Sequence, residues 1–475
     1  MTQDRTSDIG NSTILFVTGR LAEFGIRETV VELSRRLGFR YEIAVPGIQV
    51  AALLHVSLLL KRLQVPTGVD RVILPGWCQG DLTQLEQHFG MPFERGPKDY
   101  RDLPEHFGLG TKKEVCLDDY SIDIIAEINH ATRMSVADVI AEAKAMSDDG
   151  ADLIDVGCVP GESSQSVGEL VRALRDENLR VSIDSFDRRE VELAVSAGAE
   201  LILSCNHTNL EWVTDFGVEV VAIPDTPSDT ESLDRLIEHL ASASVPFRVD
   251  PIIEPIGMGF TASLRRYMDA RQKYPDVPMM MGIGNVTELT EVDSAGVNML
   301  LAAVCEELGI RSVLTTQVIN WCRTAVAEFS AARRLIAHSI NNHVIPKHLD
   351  SSLVMLRDAK LKPESEVSLD ALAAALTDPN FRIFATPSSL HLMNNTGHWH
   401  DGGPFEVFDS ALKANKGVDT GHAFYLGYEL ARAEIARFLG KQYTQDEPLQ
   451  WGVLGELPGS SAVRHENDNE ENDGA

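Results

Sequence analysis

Short apolar runs alternate with longer amphipathic stretches along most of this chain. The run "TILFVTG" (13–19) is typical of a strand, and "ETVVELSRRLG" (28–38) is typical of a helix that closes on glycine. Two more strands, "YEIAVPG" and "DRVILPG", follow. The alternation predicts a Rossmann-like or flavodoxin-like α/β domain over residues 13–115. No GxGxxG or Walker loop follows a strand, so packing or interaction is favoured over nucleotide binding.

From residue 122 to 340 the alternation becomes regular and contains eight strands. They are "DIIAEIN", "ADLIDVG", "RVSIDS", "AELILSCN", "VEVVAIPD", "PFRVD", "PMMMGIGN" and "SVLTTQ". Eight strand–helix units predict a (β/α)₈ barrel, with a doubly wound open sheet as the competing fold. Residues 341–458 predict a smaller α+β region that ends in a long amphipathic helix. The polar segments 1–12 and 459–475 are expected to be disordered.

Charge and composition argue against several classes of function. The net charge of −29 argues against nucleic acid or an anionic membrane as a partner. The most apolar window, 43–60, is interrupted by polar residues and proline, and the N-terminus has no apolar signal core. Six scattered cysteines form no metal or redox motif. We therefore expect a cytoplasmic protein without a membrane span.

Polar residues end the eight predicted strands, and a barrel brings strand ends to one mouth. In chain order they are Asn129, Asp155, Asp184, Asn206, Asp225, Asp250, Asn285 and Gln317. Any one of them can instead be a capping residue in a loop. A ring of amides and carboxylates with few cations suits a ligand rich in N–H donors, such as a heterocycle with an amidine-like edge.

Four motifs, in order and with barrel spacing, resemble the pterin-binding barrel family of dihydropteroate synthases and corrinoid-linked methyltransferases. They are "IAEINHATRMS", "GADLIDVGCVPGESS", "VSIDSFDRREVELAVSAGAELI" and "VDPIIEPIGMGF". The resemblance carries over Asn129, Asp155, Asp184 and Asp250. It implies that the pterin is bound by Asn129, Asp184, Asn206, Asp250 and Asn285.

Departures from the synthase pattern are equally specific. "GIGNVTEL" replaces the Ser-Arg-Lys after strand seven, and its Asn285 resembles a pterin-contacting residue of the methyltransferases. The synthase's Arg-Val-His-Asp segment has no counterpart, and the fourth-strand Asn is displaced to Asn206. Pterin binding therefore carries over better than diphosphate chemistry.

The flanks "LFVTGRLAE" and "GHAFYLGYELARAEIARFLG" resemble dihydropteroate synthase-related proteins associated with tetrahydromethanopterin. The implied activity is a transferase that joins a dihydropterin-methyl diphosphate to an arylamine of the ribofuranosyl-aminobenzene phosphate type. Two alternatives stay open: pterin-dependent methyl transfer to a corrinoid partner, and pterin binding without catalysis. Whether the chain forms a homodimer is also open.

Catalytic roles fall on three residues. Asp155, together with Asn129, is expected to hold Mg²⁺ as the electrophile. Arg133 and Arg323 are candidate phosphate contacts, with ordinary surface ion pairs as the alternative. His391, His398 and His400 lie close together, but spacings of seven and two match no standard zinc site. The sequence therefore predicts no metal site there.

Overall fold

The computed structural model describes residue 10 and residues 12–109 and 116–455. The predicted disorder of 459–475 and of most of 1–12 lies outside these residues. Two compact units are present. One contains the segments before residue 115 together with residues 354–451, and the other contains residues 115–353 with Gly452–Leu454. The two flanking segments that the sequence separates thus share one unit.

The N-terminal segment is a doubly wound α/β layer. Its strands are β1 (Thr13–Val17), β2 (Arg40–Ala44), β3 (Arg71–Leu74) and β4 (Phe93–Arg95). Its helices are α1 (Glu23–Leu37), α2 (Val56–Arg62), α3 (Thr83–Phe89) and α4 (Leu103–His106). All four strands are parallel in the order β2-β1-β3-β4. A cavity of about 510 Å³ borders the ends of β1, β3 and β4.

The second unit is the predicted eight-stranded barrel. Its strands are β5 (Asp123–Ile128), β6 (Leu153–Gly157), β7 (Val181–Asp184), β8 (Leu201–Cys205), β9 (Glu219–Ala222), β10 (Phe247–Val249), β11 (Met280–Gly282) and β12 (Ser312–Thr315). They are parallel in the order β10-β9-β8-β7-β6-β5-β12-β11. A single bridge between Val249 and Met279 joins the two outer strands. The prediction of a (β/α)₈ barrel is confirmed, and the open-sheet alternative is wrong.

Helices cover the outside of the barrel. They are α5 (Val136–Asp148), α6 (Val167–Asp176), α7 (Arg188–Ala197), α8 (Leu210–Val213), α9 (Thr230–Ser242), α10 (Phe260–Lys273), α11 (Gly284–Thr287), α12 (Ser294–Leu308) and α13 (Ala325–Asn342). The turn into α7 is fixed by Asp187, whose carboxylate accepts from the backbone N–H groups of Arg189 and Glu190. This short capped turn keeps α7 close to β7, the strand before it.

Two layers fill the barrel interior. The lower layer is apolar and consists of the side chains of Ile125, Leu153, Leu201, Leu203, Val221 and Met280. Since side chains alternate along a strand, the next inward positions are Glu127 on β5 and Asp155 on β6. The apolar layer closes one end of the barrel, and the acidic positions lie toward the mouth.

Beyond the barrel, the chain returns to the first unit. This segment contains α14 (Glu366–Ala375), α15 (Pro404–Ala414), α16 (Thr420–Leu439) and an antiparallel sheet of β13 (Arg382–Ala385), β14 (Leu390–Asn394) and β15 (Gly397–Asp401). The Tyr100 hydroxyl donates to the Glu364 carboxylate at 2.8 Å, and the Arg101 guanidinium donates to the Lys362 carbonyl at 2.6 Å. These contacts connect the two segments of the unit. Among the described residues, no helix combines the length and apolar character needed to cross a membrane.

Candidate active site

A cavity of about 330 Å³ opens at the carboxyl ends of the barrel strands. Four of the predicted strand-end residues line it: Asn129, Asp184, Asp250 and Asn285. Its apolar wall consists of Leu203, Ile223, Ile252, Met280, Leu289 and Leu314. The cavity is therefore apolar in part, with carboxylates and amides that converge on its interior, which is the usual composition of a heterocycle site.

Asp250 is the best-anchored polar group of this cavity. It is 6% exposed, and its carboxylate accepts from the backbone N–H of Ile252 at 2.7 Å and from the hydroxyl of the fully buried Tyr267. Burial raises the pKa of Asp250 to about 6, against the effect of these hydrogen bonds. The second carboxylate oxygen lies 3.7 Å from the position that a Cβ on Gly282 would take. The carboxylate is thus held in one orientation before any ligand arrives.

The amides are oriented as well. The Asn285 side chain donates from Nδ2 to the carbonyl of Ile253 at 3.0 Å, which turns its oxygen away from that bond. Asn285 lies in the short helix α11 rather than at the end of the predicted strand. The side chain of Asn129 forms no hydrogen bond with another described residue and lines this cavity and the next one.

Three carboxylates meet where β5, β6 and β7 end, and we call them the acid triad: Glu127, Asp155 and Asp184. One carboxylate oxygen from each lies within 4.8 Å of the others. Asp155 is fully buried; one oxygen accepts from the Ser182 hydroxyl at 2.6 Å, and Oδ2 has no partner among the described residues. Gly157 leaves room for the triad, because a Cβ there would lie 2.5 Å from Oε1 of Glu127.

Burial dominates the electrostatics of the acid triad. It raises the pKa of Glu127 to about 7, with Asp184 and Glu288 adding repulsion, and it raises the pKa of Asp184 to about 6. Burial, followed by repulsion from Asp184 and Glu127, also raises the pKa of Asp155 well above its ordinary value. Three clustered carboxylates with an unpartnered buried oxygen suit a hard divalent cation.

A second cavity of about 550 Å³ adjoins the first and shares three of its residues, Glu127, Asn129 and Asp184. The loops after β6 and β7 form its other walls, with Phe186 48% exposed beside it. Glu190 at its edge accepts from the Ser185 hydroxyl at 2.5 Å and from the Ser164 backbone at 2.8 Å. All residues lining the two cavities are in the described part of the chain, and none is lysine or arginine.

Four predicted site residues line neither cavity: Asp155, which is fully buried in the acid triad, and Asn206, Arg133 and Arg323. The Asn206 oxygen accepts from the backbone N–H of Thr208 at 2.9 Å and from its hydroxyl, a capping turn, and Ser204 lines the cavity instead. Arg133 is exposed and forms an ion pair with Glu162 at the rim of the second cavity. Arg323 is exposed and lines neither cavity.

The sequence analysis missed two acids that line the mouth, Glu127 and Glu288. Glu288 belongs to the turn after α11 and accepts from the Thr316 hydroxyl. The sequence did contain a signal for Glu127: it stands two positions before Asn129, which directly follows β5, and side chains two positions apart along a strand face the same side. Glu127 lies one layer deeper in the barrel than the strand-end residues from which the site was predicted.

Two family models match parts of the chain. Residues 128–242 match a model described as pterin binding enzyme, and residues 12–98 match a family of unknown function, DUF6513. The first match contains Asn129 and the acid positions 155 and 184, whereas Asp250 and Asn285 lie beyond it. Over residues 128–242 the chain is therefore similar to pterin-binding enzymes.

Similar proteins were found in sequence and in structure. An uncharacterized protein of Methanocaldococcus jannaschii is 25% identical over 522 residues, covering 92% of this chain and 98% of that protein. Dihydropteroate synthase from Thermus thermophilus, in complex with 6HMPPP, is 17% identical with a TM-score of 0.38, covering 47% of this chain and 96% of that one. The enzyme from Xanthomonas albilineans, with 4-aminobenzoic acid, is 20% identical with a TM-score of 0.38, covering 48% and 95%.

Proposed function

We propose that this chain is a pterin-dependent transferase of the dihydropteroate synthase type. Its reaction joins a dihydropterin-methyl diphosphate to an arylamine of the ribofuranosyl-aminobenzene phosphate type in tetrahydromethanopterin formation. The amine nitrogen bonds to the methylene carbon, the bond to diphosphate breaks, and the nitrogen releases a proton. The protein's task is to position both substrates and to offset the charge of the leaving group.

One observation carries the pterin assignment: Asp184 and Asp250 face the same apolar-walled cavity with the amides of Asn129 and Asn285. Carboxylates accept paired hydrogen bonds from adjacent N–H groups, and the pterin's 2-amino and ring N–H groups present such an edge. Burial raises the pKa of both carboxylates to about 6, so both are mainly ionised and able to accept well above that pH, at about pH 7.5. A heterocycle without these donors would leave buried acceptors unpaired, which supports selectivity for pterins.

The adjoining cavity supports a place for the arylamine. It shares a wall of three residues with the pterin cavity, and Phe186 offers an exposed ring face beside it. Two substrates that meet at this shared wall would bring the amine nitrogen and the methylene carbon together. The wall carries Asn129 and two members of the acid triad, so bond formation would take place next to the proposed cation site.

The proposed Mg²⁺ fits the residues that are present. The triad provides only oxygen donors, and Oδ2 of Asp155 is buried without a partner among the described residues. Glu127, Asp155 and Asp184 would hold the ion, with Asn129 beside them at the cavity wall. When bound, the ion would offset the negative charge of the departing diphosphate. No lysine or arginine lines either cavity, so no cationic side chain of the lining can take this role.

Methyl transfer from a reduced pterin to a corrinoid partner is the second candidate. The absence of lysine and arginine from the lining of the two cavities favours methyl transfer, because transfer of a methyl group releases no diphosphate. Asn285 also lines the cavity, as the resemblance to the methyltransferases implies. Pterin binding is common to both reactions, so the difference lies in the leaving group.

Diphosphate release separates the two reactions. The full chain is incubated with dihydropterin-methyl diphosphate, Mg²⁺ and either 4-aminobenzoate or the ribosyl-phosphate arylamine, and diphosphate is measured. We expect release that requires both the arylamine and Mg²⁺. Asp225→Asn is the matched control, since Asp225 follows a barrel strand but lines neither cavity. The methyltransferase becomes the proposed activity in place of the synthase under two joint results: no arylamine leads to diphosphate release, and the protein transfers a methyl group from a methylated pterin to cob(I)alamin.

A further inference from the structure

Three histidines that the barrel reaction does not use lie on one face of the β14–β15 hairpin. The strand register pairs His391 with His400 and places His398 opposite Met393, so all three side chains point to the same side. Their ring centroids are 5.3, 5.4 and 5.5 Å apart. His391 is fully buried, whereas His400 is exposed.

Helix α14 adds two carboxylates to this histidine cluster. Glu366 and Asp370 are four residues apart and therefore lie on one face of the helix. Oε1 of Glu366 is 3.6 Å from Nε2 of His391, and Oδ1 of Asp370 is 3.2 Å from Nδ1 of His398. The Ser389 hydroxyl lies 2.8 Å from the same Nε2 of His391. Each of the two rings thus has a partner for its outer nitrogen.

The inner nitrogens of these two rings face each other. Nδ1 of His391 and Nε2 of His398 are 3.0 Å apart. A neutral imidazole has one N–H and one lone pair, so each ring can donate from only one of its two nitrogens. If both outer nitrogens donate to their neighbours, two lone pairs meet at the centre, which is how two imidazole nitrogens face one bound cation.

We propose that His391, His398 and His400 bind one divalent transition-metal ion, with Asp370 and the Ser389 hydroxyl supporting the rings from outside. Bonds of about 2.0–2.1 Å in a tetrahedral site separate two nitrogens by ~3.3 Å and two ring centroids by ~5.3 Å. The observed separations of 3.0 Å and 5.3–5.5 Å are close to these values. His400 completes the set by turning its exposed ring so that a nitrogen faces inward. Carboxylates on the outer nitrogens are the usual support of metal-bound histidines.

The class of ion follows from the donors. Neutral imidazoles prefer Zn²⁺, Co²⁺, Ni²⁺ or Cu²⁺, whereas Mg²⁺ prefers oxygen. The histidine cluster and the acid triad of the barrel are therefore expected to take different ions. The competing arrangement contains no ion: the Ser389 hydroxyl donates to His391, His391 to His398, and His398 to Asp370, which satisfies every nitrogen of those two rings.

Cobalt titration of the full chain separates the two arrangements. The protein is stripped with chelator at about pH 7.5, where imidazoles compete well with protons, and Co²⁺ binding is followed by its visible absorption. The variants are His398→Gln and His400→Gln, which leave the fully buried His391 in place. His239→Gln, on an exposed helix position, is the matched control, and Asp155→Asn removes the fully buried acid of the barrel triad.

We expect one Co²⁺ with an imidazole-type spectrum per chain, beside any oxygen-bound ion in the acid triad. This imidazole-type signal should show at least tenfold weaker binding in His398→Gln and His400→Gln and should be unchanged in His239→Gln and Asp155→Asn. Circular dichroism and pterin binding serve as fold controls. The proposal is overturned if the stripped wild type shows no cobalt absorption, or if both hairpin variants titrate like the wild type. Loss of the signal in Asp155→Asn alone would assign the ion to the barrel and equally overturn the proposal.

Discussion

Asp250→Asn is the substitution that separates binding from stability most clearly. It removes the charge of a carboxylate that is 6% exposed and keeps its size. The amide oxygen can still accept from Ile252 and Tyr267, two of the three groups that hold the carboxylate, the third being the backbone N–H of Gly282. The fold is therefore expected to persist, while the charged acceptor for the pterin is lost.

The stability change follows from the pKa. Burial raises the pKa of Asp250 from 3.8 to about 6, so the folded protein binds this proton more tightly than the unfolded chain does. The free energy of unfolding therefore falls as the pH rises from about 4 to about 6, by about 3 kcal/mol in all, and stays low above that range. Because asparagine carries no charge, Asp250→Asn should be more stable than the wild type at about pH 7.5, by about 1–3 kcal/mol. The difference should vanish below about pH 4.

The binding change has the opposite sign. Loss of a charged acceptor that faces buried pterin donors costs about 2–4 kcal/mol, or about 30- to 900-fold in affinity. Calorimetric titration with a dihydropterin and urea unfolding at the two pH values measure both effects. Asp225→Asn serves as the control: it should leave pterin affinity unchanged and, because it weakens only a surface contact with His207, should change the free energy of unfolding by less than about 1 kcal/mol. Wild-type pterin affinity in Asp250→Asn, or lower stability than the wild type at about pH 7.5, would refute the reasoning.

Three further substitutions test other parts of the molecule. Gly157→Ala brings a Cβ within 2.5 Å of the Glu127 carboxylate and should lower Mg²⁺-dependent turnover at least tenfold with pterin affinity retained. Its control, Gly296→Ala in a helix with open space around it, should raise the unfolding free energy by about 1 kcal/mol. Arg133→Ala should lower condensation at least tenfold, about 1.4 kcal/mol; unchanged turnover would make its ion pair a surface contact only. Arg333→Met, which removes a guanidinium that is 1% exposed, should lower the unfolding free energy by about 3–5 kcal/mol in urea, and a loss below about 1 kcal/mol would contradict this.

The barrel was predictable because its signal is local. Each strand is a short apolar run that ends in a polar residue, and each helix repeats its apolar face at the right period. Asp184 and Asp250 could therefore be assigned to one cavity from strand ends alone. Asn206 could not be excluded in this way, because the turn that binds its side chain depends on the loop geometry after β8.

Contacts between distant segments left no such signal. Tyr100 and Glu364 are 264 positions apart, so the shared unit of the two flanks could not be read from periodicity. The histidine spacing of seven and two looks unlike a metal site until the β14–β15 hairpin pairs His391 with His400. Arg323 was assigned from its place after the last strand, but the side chain is exposed outside both cavities.

The central claim is that a pterin lies in the barrel cavity with its N–H edge on the carboxylates. A crystal structure of the full chain with a bound dihydropterin tests this most directly. We predict one pterin in the 330 Å³ cavity, with its 2-amino and ring nitrogens about 2.7–3.0 Å from the Asp250 carboxylate and Asp184 within hydrogen-bond reach. A ring bound elsewhere, or one whose N–H edge faces away from both carboxylates, would contradict the account.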